Sequence, residues 1–228
     1  MNRVLPAVAI QSEPGGRETA ASPPGVIDAP WIRRRFREER HWLPVQAGDR
    51  VITSGLRPLR QAAVLIPLVE RDEGLTVLLT RRTDHLNDHA GQISFPGGRV
   101  EPADEGVRGT ALRETREEIG LHPDRIEVLG EVGTYVTATG YHVTPVAALI
   151  QPPFELTPDP FEVAAVFEVP LAFILDARNH QRNTVVTREG RRQYHAIPYG
   201  PFYIWGATAA MLLNFRAYLH AISVPQLP

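Results

Sequence analysis

Residues 61–82, QAAVLIPLVERDEGLTVLLTRR, limit the possible folds more than any other stretch. Two apolar runs flank the turn-forming RDEG, a pattern that reads as two strands joined by a tight turn. Further strands are expected at RIEVLGEVGTYV, YHVTPVAALI and AAVFEVPL, the last leading into a short helix at LAFILD. TVVTREGRRQYHAI reads as a hairpin turning at Glu189-Gly190, and GATAAMLLNFRAYLH as a closing helix. DAPWIRRRFREER offers an early helix, with Asp28 as its cap and Pro30 in its first turn. Strands and helices mix without βαβ regularity, so the expected class is an α+β sandwich rather than a doubly wound sheet.

Residues 1–30, which include SEPGGRETAASPPG, lack an apolar period and are expected to form a disordered tail before a single domain over 31–228. The chain has 228 residues and is 43% hydrophobic, enough for one substantial core. Its formal net charge of -2 gives no sign of a general nucleic-acid or membrane surface. No apolar run reaches the roughly 18 residues of a membrane span, and a cytoplasmic location is expected. All 24 basic residues are arginine, which removes Schiff-base chemistry and lysine-dependent phosphate loops. Cysteine is absent, which removes disulfides, thiol nucleophiles and Cys-ligated zinc.

The chemistry concentrates at ALRETREEIGL, on a helix expected from about Asp104 to Ile119, with Gly120 as its stop. At about 100° per residue, Glu114, Glu117 and Glu118 share one face. Like charges at i and i+4 repel, so either arginines or a bound cation must compensate. Just upstream lies GQISFPGG, where Gly97 and Gly98 let the backbone approach a ligand closely. Carboxylates beside a glycine-rich loop suit a hard divalent ion bound to phosphate. An exposed acidic face paired with Arg113 and Arg116 is the bland alternative.

These residues resemble the Nudix hydrolases. Gly98, Arg113-Glu114, Glu117-Glu118, Gly120 and Leu121 follow the family pattern. Thr115 replaces an apolar residue, and six residues rather than five separate Gly98 from Glu105. Asp104 fits the count from Gly98, and Glu105 fits the count back from Arg113, so the fourth acidic position stays open. Within the family, LLTRRTDHLNDHAGQISFPGG resembles the coenzyme A pyrophosphatase branch, as do TATGYHVTPV, EVAAVFEVPL, NHQRN and YIWGATAAML downstream. Thr83 stands where that branch usually has Ser, and Asn87 where it has Arg.

The resemblance implies an α/β/α sandwich with a mixed sheet that hydrolyses the pyrophosphate of CoA or its thioesters with Mg²⁺ or Mn²⁺. It implies Glu114, Glu117, Glu118 and the Gly98 carbonyl as metal ligands, with Arg113 orienting a glutamate. Arg82, His89, Gly97 and Gly98 are the expected substrate contacts. The general base stays open among Glu117, Glu162 and Glu168. Trp205 is expected in the core rather than under a nucleobase. Another nucleoside diphosphate substrate, such as ADP-ribose or a dinucleoside polyphosphate, and a non-catalytic binding module are the rival readings.

Overall fold

The computed structural model describes residues 11–14, 27–38, 42–46, 48, 58–85, 89–187 and 190–221. Asn87 and the turn residue Glu189 lie outside them. The early helix α1 (Ala29–Arg37) begins where Asp28 accepts the Trp31 amide at 2.8 Å, with proline in the first turn. The two apolar runs are β2 (Arg60–Arg71) and β3 (Gly74–Arg82), antiparallel and joined at Asp72-Glu73.

Two very short strands, β4 (Ile93–Ser94) and β5 (Gly97–Arg99), lead into helix α2 (Gly106–Ile119). Next come β6 (Ile126–Glu131), β7 (Tyr135–Val136) and β8 (Tyr141–Ile150). β9 (Val163–Pro170) runs into the short helix α3 (Leu171–Leu175). β10 (Gln181–Thr187), β11 (Gly190–Tyr199) and β12 (Phe202–Trp205) precede the closing helix α4 (Gly206–His220).

The larger sheet runs β4-β3-β2-β8-β6, with β5 on β2, β7 on β8 and β9 on β3. It is mixed, because β2 and β8 pair in parallel from Arg60↔Tyr141 to Val69↔Ile150 while the other pairings are antiparallel. Strand alternation divides β2 between two layers. Ala62, Ile66 and Leu68 join a core with Ile32 of α1, Leu171 of α3 and Leu212 and Phe215 of α4. Ala63 and Leu65 face the other way, onto Ala111 of α2 with Val146 and Ala148 of β8. Helices therefore cover both faces, and the α+β sandwich expected from the sequence is the fold observed.

A second sheet, β10-β11-β12, carries an edge strand β1 (Gln11–Pro14) on β10. This strand falls inside the stretch expected to be a tail. Trp205 corrects an expectation: it is 41% exposed, edge-on to Tyr194 at 5.7 Å, because it closes β12 with its side chain turned away from Ile204 and the core. Among the described residues no helix is long and apolar enough to cross a membrane.

Candidate active site

Helix α2 starts at Gly106, two residues later than expected, because Asp104 is engaged in the turn before it. The Asp104 carboxylate accepts the Glu101 amide at 2.8 Å and the Thr110 hydroxyl at 2.7 Å. It also takes a two-pronged bond from Arg113, Nε to Oδ1 at 2.8 Å and Nη2 to Oδ2 at 3.1 Å. Paired planar groups of this kind are the strongest form of such contacts. Arg113 holds the Asp104 carboxyl well below its ordinary range, with the Glu101 amide helping. Of the two acids that the spacing left open, Asp104 is the one that Arg113 binds; Glu105 is exposed and makes no side-chain cap.

From that anchor Arg113 reaches two of the three helix glutamates. Its Nη1 stands 3.0 Å from Glu114 Oε1 and 2.9 Å from Glu117 Oε2, and its Nη2 donates to the Arg99 carbonyl at 3.1 Å. Thr115, in the usual apolar place, is fully buried and donates its hydroxyl to the Ala111 carbonyl at 2.7 Å. A polar group can sit there because its hydrogen bond closes within the helix.

Glu118 is 4% exposed, and its Oε2 is buried without a hydrogen-bond partner. Burial pushes its carboxyl up to about 8 against the pull of Arg82, whose Nη1 lies 3.8 Å from Oε1; nearby Glu162 and Glu114 push it further, and the Gly97 amide opposes them. Glu114 is also shifted upward, by burial first and by Glu117 and Glu162 in addition, with Arg113 opposing. Glu162 is thus close enough to act on both carboxylates from outside the helix.

The glycines explain how the backbone fits beneath them. β5 threads between β2 and α2, with Val64↔Gly97 and Ala63↔Gly98 paired. Gly97 has φ of 157°, and a Cβ there would strike the Ala63 carbonyl and come within 2.6 Å of Val64 Cα. A Cβ on Gly98 would collide with the Glu114 carboxylate. That carboxylate lies directly on the Gly98 backbone.

The opposite wall is the turn before β9. Its amides close the exposed carbonyls at the end of α2: Thr157 N donates to Ile119 O and Asp159 N to Glu118 O, both at 2.9 Å. The same turn presents Glu162, half-buried. Glu168, the other candidate base, belongs to a different set: Arg71 Nε donates to it at 3.0 Å and Thr76 Oγ1 at 2.6 Å, within the sheet. Its carboxylate is taken up by these partners on neighbouring strands. His89 stands on the loop between β3 and β4 with φ of 59°, its Nδ1 2.9 Å from Gln92 Oε1. Arg81 is half-buried and pairs with the exposed Asp84 at 3.2 Å.

Among the described residues no three acidic or histidine side chains are already gathered around one point; Arg113 draws Glu114 and Glu117 toward itself. The donor chemistry still fits a hard divalent ion. An unpartnered buried carboxylate oxygen on Glu118, two carboxyls shifted upward by burial and by neighbouring glutamates, and a carboxylate lying on the Gly98 backbone are the features a cation relieves.

Residues 59–189 match the family model of the NUDIX domain. A Nudix hydrolase of Escherichia coli O7:K1 named NudL, itself uncharacterised, is 42% identical over 154 residues, 67% of this chain and 79% of that protein. Among solved structures, an Ap4A hydrolase of C. elegans in a binary complex is similar with a TM-score of 0.42 and 20% identity, over 48% of this chain and 80% of that one. The MutT protein of Methanosarcina mazei Go1 gives 0.42 and 25%, over 54% and 84%. With its family model spanning more than half of the chain and its carboxylate helix built on Arg113, this chain belongs to the Nudix hydrolase family.

Proposed function

We propose that this Nudix hydrolase cleaves the pyrophosphate linkage of coenzyme A and its thioesters, giving 3′,5′-ADP and 4′-phosphopantetheine or its acyl derivative. One observation carries the reading. The segment Leu78–Gly98, which resembles the CoA branch, meets the carboxylates at both ends. Arg82 at one end stands 3.8 Å from Glu118, and Gly98 at the other lies under Glu114.

Bound Mg²⁺ or Mn²⁺ supplies neutralisation of the pyrophosphate oxygens and a water of lowered pKa. Glu114, Glu117, Glu118 and the Gly98 carbonyl are the oxygens that would hold it. Arg113, fixed by Asp104, orients Glu114 and Glu117. Glu162 is the proposed general base, because it comes from the opposite wall and its charge reaches both Glu114 and Glu118. Arg82 and His89, with the backbone at Gly97 and Gly98, form the proposed substrate side, where a guanidinium suits phosphate oxygens. A small-molecule substrate, without nucleic-acid or membrane partners, and a cytoplasmic location belong to the same proposal.

Turnover of CoA, acetyl-CoA, ADP-ribose, NADH and a dinucleoside polyphosphate, each with Mg²⁺ and with Mn²⁺, tests it. The expected result is the highest kcat/KM on CoA or acetyl-CoA. Efficient cleavage of ADP-ribose with none of CoA overturns the substrate assignment and leaves the Nudix chemistry standing.

A further inference from the structure

Thr83 follows the last residue of β3 and is 7% exposed. Both of its donors point at the turn that carries Glu162. Its amide donates to the Glu162 carbonyl at 3.0 Å, and its hydroxyl donates to the Phe161 carbonyl at 2.7 Å. The turn is gripped from its other side by Asp159. The Asp159 carboxylate accepts the Phe161 amide at 2.8 Å, and its carbonyl accepts the amides of Glu162 at 3.1 Å and Val163 at 2.8 Å. Asp159 in turn hangs from the Glu118 carbonyl.

Two adjacent peptides are therefore held from two directions. One support leads to the helix that carries Glu114 and Glu118, the other to the strand that carries Arg82. Phe161 itself is 65% exposed, its ring against His85 at 4.6 Å, so burial of this side chain contributes little to holding the turn. The hydrogen bonds set where Glu162 stands.

We propose that Thr83 is a positioning residue for the hydrolytic reaction, its hydroxyl fixing the Phe161–Glu162 peptides so that the Glu162 carboxylate faces Glu114 and Glu118. This rests on the reading of Glu162 as the base. The requirement is for the hydroxyl, because threonine and serine share that donor and differ by a methyl group. Losing it leaves the backbone bond in place but frees the Phe161 carbonyl. The turn can then shift by a fraction of an ångström to an ångström, a misplacement on the scale that lowers rates by up to about a hundredfold. Thr83 touches neither the reacting atoms nor the ions, so ground-state binding should be spared.

The test compares Thr83→Val, which keeps the β-branched shape without the donor, with Thr83→Ser, which keeps the donor. The substrate is CoA with Mg²⁺, or ADP-ribose if that is the compound turned over. Thr83→Val should lower kcat at least about tenfold with KM within about twofold of wild type. Thr83→Ser should keep wild-type kcat. Asp159→Ala, which frees the Phe161 amide, should show the same split between kcat and KM. Melting temperature is followed in parallel. Unchanged kcat in Thr83→Val overturns the proposal. So does a loss that Thr83→Ser shares, or one that disappears when both proteins are assayed well below their melting points. Glu162→Gln separates the two levels: if it is impaired while Thr83→Val is not, the brace fails and the base stands. If Glu162→Gln turns over at the wild-type rate, the base assignment itself falls.

Discussion

Glu118 is the site carboxylate whose titration is pushed furthest upward from its ordinary range. A glutamate in an unfolded chain titrates near ~4.3, whereas burial raises this one to about 8. The folded protein therefore holds a proton that the unfolded chain releases. Below the unfolded value both forms are protonated and nothing is lost. As pH rises through the window to about 8, stability falls, and above it the penalty is complete. Its size is on the order of a few kcal/mol, since a tenfold change in proton affinity corresponds to about 1.4 kcal/mol. Glu118→Gln removes the ionisable group at nearly constant volume. In EDTA, its melting temperature should exceed that of the wild type by a margin that opens as pH is raised from about 5 to about 8. A margin independent of pH would show that the carboxylate is not strained. With Mg²⁺ present the same variant should lose turnover by orders of magnitude, and near-wild-type activity at saturating Mg²⁺ would overturn its place among the metal ligands.

At the scale of elements, β5 is a three-residue strand squeezed between β2 and α2, and its two glycines have different reasons. Gly97 is constrained by backbone. Alanine there meets the Ala63 carbonyl and Val64 Cα, neither of which can rotate away. Gly97→Ala should cost roughly 1–3 kcal/mol of stability, the range for overpacking, read as a fall in denaturation midpoint. Gly98 is constrained by a carboxylate at the end of a flexible side chain. Gly98→Ala should leave the melting temperature close to wild type while turning Glu114 aside. Mn²⁺ binding measured by calorimetry should then weaken by about tenfold or more, the scale for disturbing groups that orient a ligand. If Gly98→Ala binds Mn²⁺ normally, Glu114 does not need its position over β5.

For the whole molecule, the two sheets meet where β12 runs beside β4 and where the Thr208 hydroxyl of α4 donates to the Ile93 carbonyl at 2.9 Å. β1 lies at the far edge of the second sheet from that junction. Deleting Met1–Pro14 takes away β1 and exposes an edge of β10, in the sheet that does not pair with the strands beside the carboxylates. We expect kcat/KM to be unchanged and the melting temperature to drop by no more than about 2–4 °C, the shift that ~1 kcal/mol produces in a domain of this size. A fall in kcat/KM would show that the second sheet transmits its edge to the site.

The elements themselves were legible in the sequence, because strand and helix periods are local. The RDEG turn, the Asp28 cap and the whole of α4 need no distant partner to be read. The carboxylate face of α2 was legible for the same reason, since helix geometry alone aligns Glu114, Glu117 and Glu118. Spacing could not choose between Asp104 and Glu105. That choice depends on a turn whose shape is set by the Glu101 amide, Thr110 and Arg113 together. Nor could it separate Glu162 from Glu168, six positions apart on one segment. Only the folded chain ties the first to the end of α2 through Asp159 and gives the second to Arg71 and Thr76. Thr83 carried a faint signal, a hydroxyl kept where serine is usual, but its partner lies 78 positions away. Local geometry is encoded residue by residue along the chain, whereas the identity of a charged or hydrogen-bonding partner is decided by which segments the core brings together.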